Sequence, residues 1–366
     1  MDKKFVILAR DIQNNISALR EMVGKARIYA VLKGNAYGMG LIPFAKELFD
    51  GGIRYFALTS LSDCITLKQE LPDANILLLT PCHIDNDIDC ALINDITLSV
   101  DSLENAVNIS KIAQKQGKSA NIHIKLDTGM GRYGFLPTQI DEIKSACQLN
   151  KINAEGIFTH LHSAFNKKAV PSLEQFSQFT EVIDKLKAEE ITFEVSHICN
   201  STAIFRFPQM HLTAVRAGSA LIGRVNAISG STNLCKVGRL YGQIIDIRTL
   251  PQGHNIGYAA LYKTKSPKKI LCVNIGYADG VAVTKANDTF RFIDILRYGF
   301  NDFKLLFRPT PLVCTIHGKS AKSLGRIGMT NLVLDGSNCE DAKIGDLVEI
   351  PANPIYLSPL IQREYK

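Results

Sequence analysis

Long apolar runs are missing from this 366-residue chain. No stretch approaches the roughly 18 consecutive apolar residues needed to cross a bilayer, so no membrane partner is expected. The amino terminus, MDKKFVILARDIQNN, has a charged head but few apolar residues before Arg10 and Asp11. That is too short for the core of a secretion signal, and the expected location is the cytoplasm. Paired cysteines are missing as well. The nine cysteines (64, 82, 90, 147, 199, 235, 272, 314 and 339) form an odd set without a CxxC pair, which argues against a disulfide framework and against structural zinc. The segment PCHIDNDIDC at 81–90 comes nearest to a metal cluster, but it has no matching second half, and no metal is expected. Charge of one sign is also scarce: the net +7 is spread out, apart from KTKSPKK at 263–269. Nucleic-acid binders show a basic face interleaved with aromatics. That pattern is absent here, so no nucleic acid is expected and an anionic small ligand fits the charge.

What is present is the composition of a soluble globular protein, 46% hydrophobic and 21% charged, in a chain longer than one ordinary domain. From residue 28 to about 223, eight β-rich runs alternate with helix-patterned segments. The runs are IYAVLKG (28–34), YFALTS (55–60), NILLLT (75–80), DITLSV (95–100), NIHIKLD (121–127), AEGIFTHLH (154–162), EVSHICN (194–200) and AVRAGSALIG (214–223). Segments such as LIPFAKELFDG and LENAVNISKIAQKQG place apolar residues three and four apart and end at glycine, as helices do; LEQFSQFTEVIDKLKAE is the longest. Eight strand-and-helix units point to a closed (β/α)8 barrel of the TIM type, whose active sites lie at the carboxyl ends of the strands. An open doubly wound sheet is the alternative. After residue 235 the texture changes to strands and turns with little helical periodicity. With the turn-forming SGSTN cluster, this places a barrel domain at 1–235 and a mostly β domain at 236–366.

In a barrel, the strand ends select the residues of interest: Lys33, Lys125 to Arg132, His160, Ser201, and Arg216 with Gly218. A lysine leaving an apolar strand into a cavity is suited to form a Schiff base with a carbonyl cofactor, because partial desolvation lowers its pKa and frees the amine. On position alone, an ordinary surface lysine explains it as well. The ends of the seventh and eighth strands favour a phosphate site. Ser201, Gly218 and Ser219 fall there, and Tyr37 can add a hydroxyl. Turn and helix-cap roles explain each of these singly but not their coincidence. GMGRYG at 129–134 matches the dinucleotide fingerprint GxGxxG. The third glycine of that fingerprint belongs inside a helix, whereas FLPTQ follows here and places the helix start near Pro137, so a dinucleotide reading is rejected.

On these segments the sequence resembles the alanine racemase family over nearly its whole length. VLKGNAYGMG resembles the family's lysine motif, which makes Lys33 the residue that binds pyridoxal 5'-phosphate and Tyr37 a phosphate contact. IKLDTGMGRYGF resembles the motif in which Lys125 is the position that is often carbamylated and Arg132 faces the cofactor phenolate beside the substrate. GIFTHLHSA supplies His160 against the pyridine ring, CNSTAIFRFP supplies Ser201 for the phosphate, and VRAGSALIG sets Arg216 at the pyridine nitrogen with Gly218 and Ser219 by the phosphate. In the β domain, GYAALY gives Tyr258 as the second base, IGYADG gives Tyr277 at the substrate entrance, and GRIGMTN gives Met329, whose backbone meets the substrate carboxylate. The resemblance implies an amino-acid racemase with alanine as substrate. It also implies two opposed bases, Lys33 and Tyr258, and a homodimer in which Tyr258 and Met329 serve the partner's site.

Racemisation takes a proton from one face of a carbon and returns it on the other, so two opposed bases suit it. The sequence departs from the family in two places. Thr330 stands where aspartate is usual, and the chain runs almost directly from GDLVEIPANP to IYLSPLIQREYK. The second departure omits a segment that carries a phosphate-contacting tyrosine, which Tyr356 can replace. These departures leave open serine or another amino acid as substrate, and also a silent pyridoxal-phosphate-binding protein. A decarboxylase of the same barrel class is disfavoured by the absence of a glycine-triplet phosphate loop.

Overall fold

The structure, a computed structural model, describes residues 3–225, 233–287, 290–305, 307 and 310–366. Apart from Asn233, the SGSTN cluster lies outside the described residues. The chain divides into two compact units, residues 9–237 and residues 1–8 with 238–366.

After strand β1 (Lys4–Ile7) come eight strands: β2 (Arg27–Val31), β3 (Tyr55–Leu58), β4 (Asn75–Leu78), β5 (Thr97–Val100), β6 (Ala120–Lys125), β7 (Ile152–Phe158), β8 (Val195–His197) and β9 (Ala214–Ala217). They close in chain order into a parallel barrel. These are the eight runs read from the sequence. Closure is made by β2 against β9, with Arg27 opposite Ala214 and Ala30 opposite Ala217. Most of the strands are short and nearly continuously buried, as strands covered on both faces must be; in β7 the first four residues are half-buried or exposed. Helices Leu41–Asp50, Leu103–Gln116 and Val170–Ala188 occupy the segments whose apolar spacing announced them. In the second of these, Ser102 caps the first turn by accepting from the Asn105 N–H, and Gly117 ends the helix in the left-handed conformation, as a C-terminal cap requires. After GMGRYG the helix begins at Ile140, three residues beyond the expected Pro137.

The second unit is built on β10 (Arg239–Leu250). A two-residue ladder, β11 (Asn255–Ile256) with β12 (Tyr262–Lys263), flanks Tyr258. Strands β13 (Lys268–Val273), β14 (Val313–Ile316), β15 (Lys319–Lys322), β16 (Leu332–Asp335), β17 (Leu347–Ile350) and β18 (Gln362–Tyr365) complete an eight-stranded sheet with β10 and β1. Strand β1 pairs with β10, Phe5 opposite Leu240, and with β18. The first residues therefore count with the β unit and not with the barrel that follows them. The unit is mostly β, as expected, with one long helix, Phe292–Leu305, of 14 residues.

Candidate active site

At the carboxyl ends of the barrel strands lies a cavity of about 560 Å³ lined wholly by barrel residues. Its walls hold Lys33, Lys125, Arg132 and Arg216 and no carboxylate among the described residues. Two guanidinium groups and two amines facing one space, with no carboxylate among the described lining residues, suit an anion.

Lys33 follows directly on β2, where the chain makes one turn of left-handed helix. Gly34, Asn35 and Ala36 have φ of 62°, 53° and 53°, and Tyr37 has 55°. Gly34 adopts this freely. The left-handed region costs residues other than Gly and Asn about 1–2 kcal/mol each, so Ala36 and Tyr37 together store about 2–4 kcal/mol. The turn is held by the Ala36 N–H on the Leu32 carbonyl (3.0 Å), the Gly38 N–H on the Gly34 carbonyl (3.0 Å) and the Leu41 N–H on Asn35 Oδ1 (2.7 Å). Strain held this firmly beside a cavity marks a site that needs one geometry. The turn leaves the Lys33 amine open to the cavity. Desolvation by the cavity walls, then the charges of Arg132 and Arg216, lower its pKa.

The same turn carries Tyr37 to Gly218. A β-carbon on Gly218 would sit 2.2 Å from the Tyr37 hydroxyl, so only glycine admits the approach. Burial pushes the Tyr37 phenol up to about 12, which keeps it a proton donor. Ser201 Oγ accepts from the N–H groups of Gly218 (2.9 Å) and Ala220 (3.1 Å), and its own hydroxyl proton remains to be given. Asn200, which the sequence reading passed over, caps the helix Ser201–Arg206 through Oδ1 and lines the cavity with Thr202 and Ser219.

Arg216 is 4% exposed and meets acceptors without negative charge. One terminal nitrogen donates to His197 Nδ1 (2.6 Å) and the His197 carbonyl (3.1 Å). The other donates to the carbonyls of Thr159 (2.7 Å) and Ile198 (3.3 Å) and to His160 Nδ1 (3.3 Å). Burial lowers its pKa to about 10, still a cation at neutral pH. Burial, then Arg216, Lys33, Lys125 and Arg132, hold His160 at about 3, so its ring is neutral.

Lys125 ends β6, is 2% exposed and donates to the Leu126 carbonyl. Burial and then Arg216 lower its pKa to about 7, against a smaller upward pull from Asp127. Its amine lies over the rings of Tyr133 and Phe158 at 5.8 and 5.6 Å, and Arg132 lies over Tyr133 at 4.6 Å. Asp127 organises the GMGRYG loop. Its carboxylate accepts from the N–H groups of Gly129, Met130 and Gly131 at 2.8–3.1 Å. Burial raises its pKa, but the Gly131 and Gly129 N–H groups, with Lys125, outweigh that and hold it below the usual carboxylate value.

The remaining candidates gather within the β unit. Tyr258 is 68% exposed and Met329 56%. The Tyr277 and Ala278 N–H groups donate to the carbonyls of Gly328 and Met329 at 3.0 Å, and a β-carbon on Gly328 would lie 3.8 Å from the Tyr258 ring. Tyr356 reaches the same group of loops. Its carbonyl lies where a β-carbon on Gly280 would come within 2.3 Å, and the Ser358 N–H donates to the Asp279 carbonyl (3.2 Å). Tyr258, Tyr277, Met329 and Tyr356 thus form one cluster, and Lys33, Tyr37, Lys125, Arg132, His160, Ser201, Arg216, Gly218 and Ser219 form another.

A parallel barrel with an anion-receiving, lysine-bearing mouth, followed by a β unit, defines a two-domain barrel enzyme. The chain belongs to the alanine racemase family: residues 7–225 match the description "Alanine racemase, N-terminal domain" and residues 237–355 "Alanine racemase, C-terminal domain". It is similar to the alanine racemase of Methanococcus maripaludis, at 34% identity over 348 residues, 93% of this chain and 86% of that protein. It is also similar to that of Clostridium tetani, at 34% identity over 343 residues, 91% and 82% of the two chains. Among solved structures it resembles an alanine racemase from Clostridium difficile 630, with TM-score 0.84, 26% identity, and 100% and 96% of the two chains covered. In fold it also resembles one from Bartonella henselae with covalently bound pyridoxal phosphate, with TM-score 0.82, 23% identity and 100% of both chains covered.

Proposed function

We propose that the chain is a pyridoxal 5'-phosphate-dependent racemase interconverting L- and D-alanine, acting in the cytoplasm as a homodimer with shared active sites. The observation that carries the proposal is the cavity ringed by Lys33, Lys125, Arg132 and Arg216 with no carboxylate among the described residues, which suits a phosphorylated cofactor together with a substrate carboxylate. The residues present fit the cofactor. Lys33 would hold its aldehyde carbon, the hydroxyls of Tyr37, Ser201 and Ser219 its phosphate, and Arg216 its ring nitrogen. His160 would pack on the ring, and Gly218 leaves the room that Tyr37 uses. Tyr356 is the candidate for a further phosphate hydroxyl.

Once bound, the cofactor supplies an electron sink that makes the proton on the substrate's α-carbon removable. The protein's own groups then move that proton. Lys33 Nζ, favoured in its neutral form by desolvation and by Arg132 and Arg216, takes or returns it at one face. Tyr258, from the partner's β unit, does so at the other. Arg216 is a donor that keeps its proton, so it would restrain the sink, whereas a carboxylate accepting from a protonated ring nitrogen would strengthen it. Arg132 and the Met329 backbone hold the substrate's carboxylate, with Tyr277 at the entrance. Lys125, with its pKa near 7, presents a neutral amine to carbon dioxide. Its nitrogen bonds the carbon and releases a proton, which leaves a carbamate beside Arg132.

The proposal is tested by loading the purified chain with pyridoxal phosphate and following L-alanine by circular dichroism. Loss of rotation is expected in the wild type, and neither rotation loss nor the cofactor's visible absorbance in Lys33→Ala. Unchanged turnover in that variant contradicts the assignment.

A further inference from the structure

Behind Arg216 a file of buried rings runs through the barrel interior, and none of the proton transfers above uses it. Arg216 donates to His197 Nδ1 at 2.6 Å, and His197 Nε2 lies 2.9 Å from His123 Nδ1. Both histidines are at most 1% exposed. The chain of bonds has a direction, because a guanidinium has donors and no acceptor. His197 Nδ1 must therefore accept, its proton must sit on Nε2, and His123 Nδ1 must accept that proton in turn. His123 is left with its proton on Nε2, an atom that has no hydrogen-bond partner among the described residues.

The fold makes specific provision for this ring. Between Ile122 and His123 the β6–β7 ladder slips by one residue, so Ala154 faces Ile122 and Gly156 faces His123. A β-carbon on Gly156 would lie 2.7 Å from three atoms of the His123 ring, so the bulge and the glycine together admit it. His197 is held between Tyr29 (5.3 Å, 13° between planes) and Phe158 (4.9 Å, 7°), which fixes its plane. Burial, then Arg216, keep both imidazoles neutral, as acceptors beside a cation must be. A buried polar group left without a partner is rare, and it persists here where a directional chain needs its other nitrogen.

We propose that His123 is a positioning residue: by accepting the His197 Nε2 proton it locks the His197 tautomer, which fixes how Arg216 donates and hence the aim of Arg216 into the cavity. With the opposite tautomer on His197, two N–H groups would face each other at 2.6 Å and the guanidinium would have to turn. The kinetic consequence rests on the racemase reading; the tautomer does not.

The test uses the full chain loaded with pyridoxal phosphate and labelled with 15N-histidine. Nitrogen shifts at neutral pH are expected to show His197 and His123 each as a single neutral form protonated on Nε2. Two nearly isosteric substitutions then separate the acceptor from the ring. His123→Asn places Oδ1 close to the position of Nδ1, whereas His123→Leu removes the acceptor at equal volume. The Leu variant is expected to mix the His197 tautomers and lower kcat for alanine by roughly tenfold, the effect of one buried polar group left unpaired, with KM little changed. The Asn variant restores the single tautomer and most of the rate. A proton on Nδ1 of either histidine in the wild type overturns the proposal, as do Asn and Leu variants with the same His197 spectrum. Should the variants not fold, the wild-type shifts decide. A chain that racemises nothing yet shows the two Nε2 protons keeps the relay and removes the activity.

Discussion

Adding one methyl group at Gly218 tests how the cavity is built. In Gly218→Ala the new β-carbon would lie 2.2 Å from the Tyr37 hydroxyl, 2.8 Å from Cζ and 2.9 Å from Cε2, all well inside contact distance. The backbone of Tyr37 is fixed in the left-handed turn that follows Lys33, so relief must come from turning the ring. Overpacking of this kind costs about 1–3 kcal/mol, and in a domain of this size each kcal/mol lowers Tm by roughly 2–4 °C. A fall of roughly 2–12 °C is therefore expected by calorimetry. If Tyr37 holds the cofactor phosphate as proposed, displacing its hydroxyl also removes a donor worth about 1.5–3 kcal/mol for a charged acceptor. Pyridoxal phosphate should then bind at least about tenfold more weakly when titrated by absorbance. The double variant Gly218→Ala/Tyr37→Ala has no ring to strike, so the loss in Tm must be less than the sum of the two single losses. Additive losses, or an unchanged Tm in Gly218→Ala, would refute the idea that Gly218 exists to admit Tyr37.

Other outcomes follow from the same geometry. If each site takes Lys33 from one chain and Tyr258 from the other, mixing inactive Lys33→Ala with inactive Tyr258→Phe should restore about a quarter of wild-type racemisation through mixed two-fold dimers; no recovery after subunit exchange argues for sites within one chain. For Lys125, the folded pKa is about 7 against 10.5 unfolded, so between these values the unfolded chain binds a proton that the folded chain does not. Stability should thus rise with pH from about 7 upward, by at most about 1.4 kcal/mol per pH unit from this group. Denaturant titrations in carbon-dioxide-free buffer should show the slope reduced in Lys125→Met. Asp127→Asn weakens the bonds from three loop N–H groups and should cost about 1–3 kcal/mol, with faster amide exchange at Gly129, Met130 and Gly131; unchanged exchange there would show that the loop does not depend on the carboxylate.

The barrel was legible because each strand is local. β-Rich runs at regular spacing, bounded by helices with caps such as Ser102 and Gly117, announce themselves one by one. Strand β1 did not, since its partners β10 and β18 lie far along the chain, and no local pattern records such pairing. The helix Phe292–Leu305 was hidden among strands, because its repeat of Phe292, Leu296, Phe300 and Phe303 is built mainly of aromatic residues that suit strands as well. Motifs brought Lys33, Ser201 and Arg216 to attention, but not the means of holding them. GNAY reads as a flexible turn, yet it is a strained left-handed one, and a strand-buried His123 or His197 reads as ordinary core. The role of Asp127 needed the loop to fold back on it. In each case the missing information is an angle or a contact between residues distant in sequence.

The central claim is that a proton leaves and re-enters the α-carbon of alanine on both faces at this site. The direct measurement is proton NMR of the pyridoxal-phosphate-loaded enzyme in deuterium oxide, started from L-alanine and, separately, from D-alanine. The account predicts loss of the α-proton signal from both enantiomers, deuterated product of the opposite hand from each, and no exchange in Lys33→Ala. Enzyme that holds the cofactor but leaves the α-proton of both enantiomers in place would contradict it.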